Sequence, residues 1–265
     1  MAGRERVPEP MLMNDPEAVA QFHAGGTTNP GLLMGYDFSA RALNALLPEG
    51  GRLLDLGCGS GRALAYLVRG RPDLDVTGVD LAPNMLATAR QLFEAEGLDG
   101  RIKTVEADIT ALPDAVVERP WDAISCVWTL HQLPDFAALR AALRQIAAAH
   151  QRTGAAVWIF DFQRLRDART LPALLAALDP PDKPVLRRDA IASEAAGFTY
   201  EELSIELKAV GLGELRSGVA RPIPWLQAFW TPPPGGRPTF QADRLPRFAR
   251  GPAAKLRSGF TARPF

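Results

Sequence analysis

Glycine recurs at every second position through Leu56-Gly57-Cys58-Gly59-Ser60-Gly61, directly after Arg52-Leu53-Leu54-Asp55. An apolar run that ends in an acid and spaced glycines reads as a buried strand feeding a tight loop that opens a helix. Without a Cβ, such a loop can approach a ligand closely and take backbone conformations closed to other residues. The dinucleotide pattern G-x-G-x-x-G is not met, because its third glycine, counted from Gly57, falls on Arg62. The loop also lacks the lysine of a phosphate-binding P-loop, which argues against ATP or GTP.

Downstream, strand and helix patterns alternate. Helical spacing at 63–69, 84–96 and 136–150 separates strand-like runs at 75–80, 102–107, 123–128 and 155–160. Alternation of this kind predicts βαβ units and a mostly parallel sheet with helices on both faces. Upstream, 15–22 reads as a short helix followed by a glycine loop at 25–31, and 38–47 as a second helix. Beyond 162 lies a polar, proline-marked insertion, 163–198, with a short helix at 171–178. A capped helix at 200–210 and two final strands, 213–220 and 225–230, follow it. After Pro232-Pro233-Pro234 the chain reads as extended tail.

Ligands of open α/β sheets bind beyond the carboxyl ends of the strands, near the point where strand order reverses. Asp55, Asp80 and Asp108 fall at or near three successive strand ends. Asp80 suits a bidentate contact to two ribose hydroxyls, and Asp108 suits an exocyclic adenine amine. Each acid can alternatively cap the turn that follows it.

These segments carry a family resemblance. The loop at 53–61, the run Val79-Asp80-Leu81-Ala82-Pro83-Asn84-Met85, the segment Glu106-Ala107-Asp108-Ile109 and Leu130-His131-Gln132-Leu133-Pro134-Asp135 resemble successive motifs of class I S-adenosylmethionine-dependent methyltransferases. Gln132 stands where that family often has a second histidine. The resemblance covers residues 46–162 and, loosely, the last two strands, and implies a Rossmann-like, seven-stranded sheet over residues 41–230. Outside it, the chain's own pattern suggests an N-terminal helical lid at 1–40 and a basic tail at 231–265. It implies S-adenosylmethionine as cofactor and S-adenosylhomocysteine as product. Gly57, Cys58 and Gly59 would lie against the methionine portion, Asp55 toward its amino group, Asp80 with Leu81 and Met85 at the ribose and adenine, and Asp108 with the Ile109 backbone at the adenine.

Methyl transfer from a sulfonium is an in-line displacement, so the protein mainly aligns the reacting atoms and supplies a base only where the acceptor must lose a proton. His131 is the first candidate base, with Tyr36 and Asp161, placed after the fifth strand, beside it. Trp128 can stack on the cofactor or sit as a buried strand aromatic. His23 belongs to the same lid segment as Tyr36. Cys58 reads as a packing residue rather than a nucleophile. No metal ligand set is visible.

The acceptor is an O, N or C nucleophile of a small molecule on this reading. The chain lacks the Asn-Pro-Pro-Tyr or Asp-Pro-Pro-Tyr element of nucleic-acid amino methylation and the Pro-Cys pair that attacks a pyrimidine. A peptide or RNA acceptor docked through the tail, or a non-catalytic cofactor-binding scaffold, are the rival readings. The tail holds seven of the basic residues and one acid, Asp243, so an excess of six acidic charges lies on the rest of the neutral chain. Such a tail is either a docking arm or folds back on the acidic body. Arg164, Arg166, Arg169, Arg187 and Arg188 make the insertion rich in guanidinium groups, either as a solvated face or as partners for an acceptor anion. Two cysteines make no disulfide framework, and no signal peptide or membrane span is visible, so a reduced cytoplasmic setting is expected. Monomer and homodimer both remain open.

Overall fold

A computed structural model describes residues 4–10, 12–178, 184–221, 223–234 and 245–259. Met11 and the tail residues Arg237, Arg244 and Arg263 lie outside the described residues. The strands are β1 (Arg52–Leu56), β2 (Asp75–Asp80), β3 (Ile102–Glu106), β4 (Ala123–Val127), β5 (Ala156–Phe162), β6 (Arg216–Val219) and β7 (Leu226–Trp230). They form a seven-stranded sheet in the order β3-β2-β1-β4-β5-β7-β6. Pairing is parallel from β3 to β5 and antiparallel at β5–β7 and β7–β6. Strand order reverses between β1 and β4, so the glycine loop after β1 opens into the crevice where such sheets bind ligands.

Successive side chains of a strand point to opposite faces, and here both faces are buried. Leu53, Val76, Trp158, Phe160 and Trp230 belong to one core, beneath α2 (Pro30–Leu46), α3 (Arg62–Gly70) and α4 (Pro83–Ala95). Leu54, Leu56, Ile124, Val157 and Phe229 belong to the other, beneath α5 (Asp114–Val117), α6 (Phe136–Thr153) and α9 (Tyr200–Ala209). Asp135 caps α6 by accepting the Ala138 amide at 2.8 Å. Thr199 and Glu202 form a reciprocal capping box on α9.

Four expectations need correction. The first helix does not stop before a glycine loop: α1 runs Pro16–Thr28, through Gly25 and Gly26, and α2 starts at Pro30 rather than at residue 38. Gly26 is there for packing, since a Cβ on it would stand 2.8 Å from Cγ of Arg62. The turn falls instead at Asn29, whose side chain caps α2 just before a proline, a residue suited to the first helical position. Second, the insertion holds two helices, α7 (Thr170–Leu178) and α8 (Pro184–Ala196). Third, Asp161 lies within β5, paired with Gln227 of β7, and not after the strand.

Fourth, part of the tail is neither extended nor detached. Residues Arg247–Gly259 form α10, packed along α2. Ala249, Ala253 and Leu256, spaced three and four apart, sit fully buried in the first core. Arg257 donates to the buried carboxylate of Asp37, which also accepts from Arg41 at 3.0 Å and from the Tyr66 hydroxyl at 3.0 Å. Proline and arginine content masked a small-residue stripe that only α2 makes meaningful.

No helix among the described residues is long and apolar enough to cross a membrane. Both cysteines are free and buried.

Candidate active site

The glycine loop is tied to the end of β2. The amides of Gly57 and Cys58 donate to the Val79 carbonyl at 2.7 and 3.0 Å. Gly57, Gly59 and Gly61 have φ of 79°, 53° and 76°, the left-handed region that favours glycine. Neighbours forbid side chains as well: a Cβ on Gly57 would stand 2.2 Å from Oγ1 of Thr129, and one on Gly61 2.4 Å from Phe93.

Asp80 closes β2 and faces this loop. Its Oδ2 accepts the Gly59 amide at 2.7 Å, and its Oδ1 accepts the Ala82 amide at 2.9 Å. Burial raises its pKa, and those amides oppose the rise. A carboxylate has about four lone-pair sites, and these amides with that of Leu81 leave it short of saturation, with capacity for a ligand hydroxyl. Asp55 is buried at the end of β1, where the Ser125 hydroxyl donates to Oδ1 at 2.5 Å. Burial raises its carboxyl to about 6, with Ser125 opposing and Asp80 adding to the rise.

One cavity is lined by Asp55, Gly57, Cys58, Gly59 and Asp80, and equally by Trp128, Thr129, His131 and Phe162. Leu81 and Met85 line it too, as do Phe22 of α1 and Leu32 and Tyr36 of α2. Asp108 and Ile109 do not line it. Asp108 accepts the Thr110 amide at 2.8 Å, the turn-capping alternative, and Ile109 is buried in the second core. Burial drives the Cys58 thiol well up, with Asp80 and Asp55 adding to the rise, which makes it an inert packing group. The Tyr36 hydroxyl is likewise pushed up by burial.

His131 sits on a 3₁₀ turn, Leu130–Gln132, and is 3% exposed. Its Nδ1 meets Oδ1 of Asp161 at 2.6 Å, and its backbone amide donates to Oδ2 at 3.0 Å. Asp161, itself 2% exposed, therefore grips both ring and backbone of the turn. Burial opposes the imidazolium, but the Asp161 charge and hydrogen bond prevail and raise the His131 pKa. Nδ1 is engaged, so the other ring nitrogen is the one left for a proton from the cavity.

Trp128 has φ 53°, the one positive value among non-glycine described residues. Its ring lies 6.0 Å from Tyr36, 5.6 Å from Phe160 and 6.2 Å from Phe162. Gly35 makes room for it, since a Cβ there would come 2.1 Å from the indole. The sequence predicts a pocket shaped by residues 11–36, by the insertion and by the final strands. Among the described residues, the cavity takes Phe22 from the first of these, none of its lining from the insertion or the final strands, and Phe162 unforeseen. The helix-internal Gly35 was the available signal that a large group presses on α2. The insertion's guanidinium groups are partly structural: buried Arg164 donates to the Gly197 carbonyl at 2.7 Å and to Glu202 at 2.7 Å.

The arrangement fits the cofactor that the motifs imply. A glycine-spaced loop, the buried Asp55 and the half-buried Asp80 at two strand ends, and the buried, unpartnered Ser60 hydroxyl within the loop form a cradle for a polar, cationic group. Among the described residues, no group of three or more His, Cys, Asp or Glu side chains is placed to hold a metal ion.

Comparison with known proteins points the same way. The family profile described as a methyltransferase domain matches residues 53–154. The chain is 39% identical over 93 residues to a ubiquinone biosynthesis O-methyltransferase of Xylella fastidiosa, covering 34% of this chain and 35% of that protein. It is 36% identical over 85 residues to a demethylmenaquinone methyltransferase of Thermus thermophilus, covering 32% and 37%. The chain thus spans about a third of the length of the curated relatives it matches. Among solved structures, an Aquifex aeolicus SAM-dependent methyltransferase superposes with TM-score 0.53 at 18% identity, over 82% of this chain and 97% of that one. A mitomycin 7-O-methyltransferase gives TM-score 0.55 at 21% identity, over 82% and 57%. Residues 53–154 thus match a methyltransferase domain, and the chain shares the Rossmann-like fold of the SAM-dependent methyltransferase structures it superposes on.

Proposed function

We propose that this protein moves a methyl group from S-adenosylmethionine to an oxygen of a small, planar acceptor bearing an acidic hydroxyl. The observation that carries the reading is the His131–Asp161 pair lining the same cavity as the glycine loop. Asp161 holds the imidazole by Nδ1 and stabilises the imidazolium that forms when the ring takes the hydroxyl proton. Trp128, Phe162 and Tyr36 supply flat apolar walls for an aromatic or enolic acceptor. Oxygen is favoured over nitrogen or carbon by this base and by the O-methylating relative.

Asp80 would hold the ribose, Leu81 and Met85 the adenine side, and Gly57 and Gly59 the methionine portion, with Asp55 toward its amino group. When bound, the cofactor supplies the electrophilic methyl. The chain's own residues orient the acceptor, take up its proton and exclude water. Arg250 and Arg257 of the tail are engaged by the Leu245 carbonyl and by Asp37, which favours a tail folded on the body over a docking arm.

Titration with S-adenosylhomocysteine, followed by labelled-methyl transfer into simple catechols, tests the reading. Asp80→Ala should weaken product binding by about 1–3 kcal/mol, the cost of leaving hydroxyls unpaired. His131→Gln should leave binding intact and slow transfer by roughly a hundredfold or more. Wild-type protein that binds no S-adenosylhomocysteine would refute the proposal.

A further inference from the structure

We infer that the N-terminal segment 4–9 is a positioning device for His131, in which Arg6 clamps the turn that carries the imidazole. The inference rests on the reading of His131 as base. Arg6 is far from the site in sequence and has no part in the motifs around the glycine loop.

The Arg6 guanidinium is committed to carbonyl oxygens on two sides. Nη2 donates to His131 at 2.7 Å and to Leu133 at 2.5 Å, and Nη1 donates to Pro134 at 2.8 Å. Nε donates to Ala196, the end of α8, at 2.6 Å. The plane also stacks on the Phe198 ring, 4.1 Å from its centroid. A 3₁₀ turn leaves carbonyls without helical partners, and the planar fork of arginine is the side chain that can gather several at once. The turn holding His131 is therefore bound from below by Asp161 and from outside by Arg6.

Side chains, more than a backbone ladder, seat the segment. Arg4 pairs with buried Glu194 at 2.8 Å, Arg164 donates to the Arg4 carbonyl at 2.8 Å, and Ser193 donates to Glu9 at 3.1 Å. The one main-chain bond of the described segment runs from Val7 to the Ala195 carbonyl at 3.1 Å. The insertion after β5 thus reaches the turn both directly, where α8 packs against it, and through this segment, although no described residue of α8 lines the cavity.

Three charges bear on the imidazole, and two belong to the segment. Asp161 and Glu9 favour its protonated form, and Arg6 opposes it. Burial lowers the Arg6 pKa, with Arg164 adding and Glu202, Asp161 and Asp135 opposing; burial raises that of Glu9, with Asp189 and Asp161 adding and His131 and the Ser193 hydroxyl opposing. Opposite signs on one short segment allow a test that loss of packing cannot mimic.

The full chain carries three histidines, His23, His131 and His150, so the ring resonances can be followed by NMR and His131 identified from His131→Gln. Glu9→Gln should lower the His131 pKa and Arg6→Gln should raise it. Arg6→Lys, which keeps the charge and loses the fork, should leave the titration near wild type. It should cut catechol methylation about ten- to a hundredfold at unchanged S-adenosylhomocysteine affinity, the scale of a misplaced catalytic group. Glu9 and Arg6 variants that both leave the His131 titration in place overturn the inference. If the titrations move as expected and His131→Gln transfers methyl at the wild-type rate, the base assignment fails and the inference with it. Absence of S-adenosylhomocysteine binding in the wild type is the separate failure of the proposed function.

Discussion

Asp55→Asn should stabilise the cofactor-free protein at neutral pH and not in acid. Asp55 is 6% exposed, and the hydroxyl of Ser125 already donates to the oxygen that asparagine retains. Burial is the main reason its carboxyl moves from 3.8 to about 6. The folded pKa lies above the unfolded one, so the folded chain binds the proton more tightly. Stability from this group is complete below about pH 4 and is lost as pH rises through 6. Each pK unit is worth about 1.4 kcal/mol, so ionised Asp55 costs the fold about 3 kcal/mol at pH 7 and about 0.5 kcal/mol at pH 4. The asparagine amide lacks a certain acceptor, and an unpaired amide removes about 1–3 kcal/mol of the gain at both pH values alike. The robust quantity is the change between them, about 2.5 kcal/mol. Thermal unfolding followed by circular dichroism reads this as a melting difference several degrees more favourable to Asn at pH 7 than at pH 4, at about 2–4 °C per kcal/mol. Equal differences at the two pH values would show that the Asp55 charge is not strained by burial, and the reasoning would fall. The same variant should bind S-adenosylhomocysteine more weakly, which identifies the retained charge as a functional load.

Gly57→Ala should unfold the loop or empty the cofactor site, because φ is 79° and the new methyl would stand 2.2 Å from Thr129. A loss of about 2 kcal/mol or more is expected in chemical denaturation, with Thr129→Gly restoring the contact part but not the backbone part. Leu256→Ala, at a fully buried position of α10, should cost about 2–5 kcal/mol in the same assay. A loss under about 0.5 kcal/mol there would mean that the tail helix is not part of the core.

The features legible in sequence were those whose physics is local. Gly57, Gly59 and Gly61 announce positive φ, and a run such as Leu53-Leu54 announces a strand buried on both faces. Asp80 is the last residue of β2, so its position at the loop could be read from the order of elements alone. Asp108 shows the limit of that logic: its contact to the Thr110 amide, like that of Asp80 to the Ala82 amide, is a local turn bond that the order of elements does not reveal. Residues 247–259 were illegible as core because small apolar residues spaced by arginines acquire a partner only when α2 is beside them.

Sequence by itself determined the alternating α/β architecture, the conformation of the glycine loop and the class of cofactor to expect, because each depends on residues within a turn or a strand of one another. Tertiary structure decided the rest. His131 meets Asp161 across 30 positions and Arg6 across 125, and Trp128 owes its place to the hollow at Gly35. Those contacts exist because β4 and β5 lie side by side and α8 folds back over their ends, a matter of strand order that no local spacing encodes.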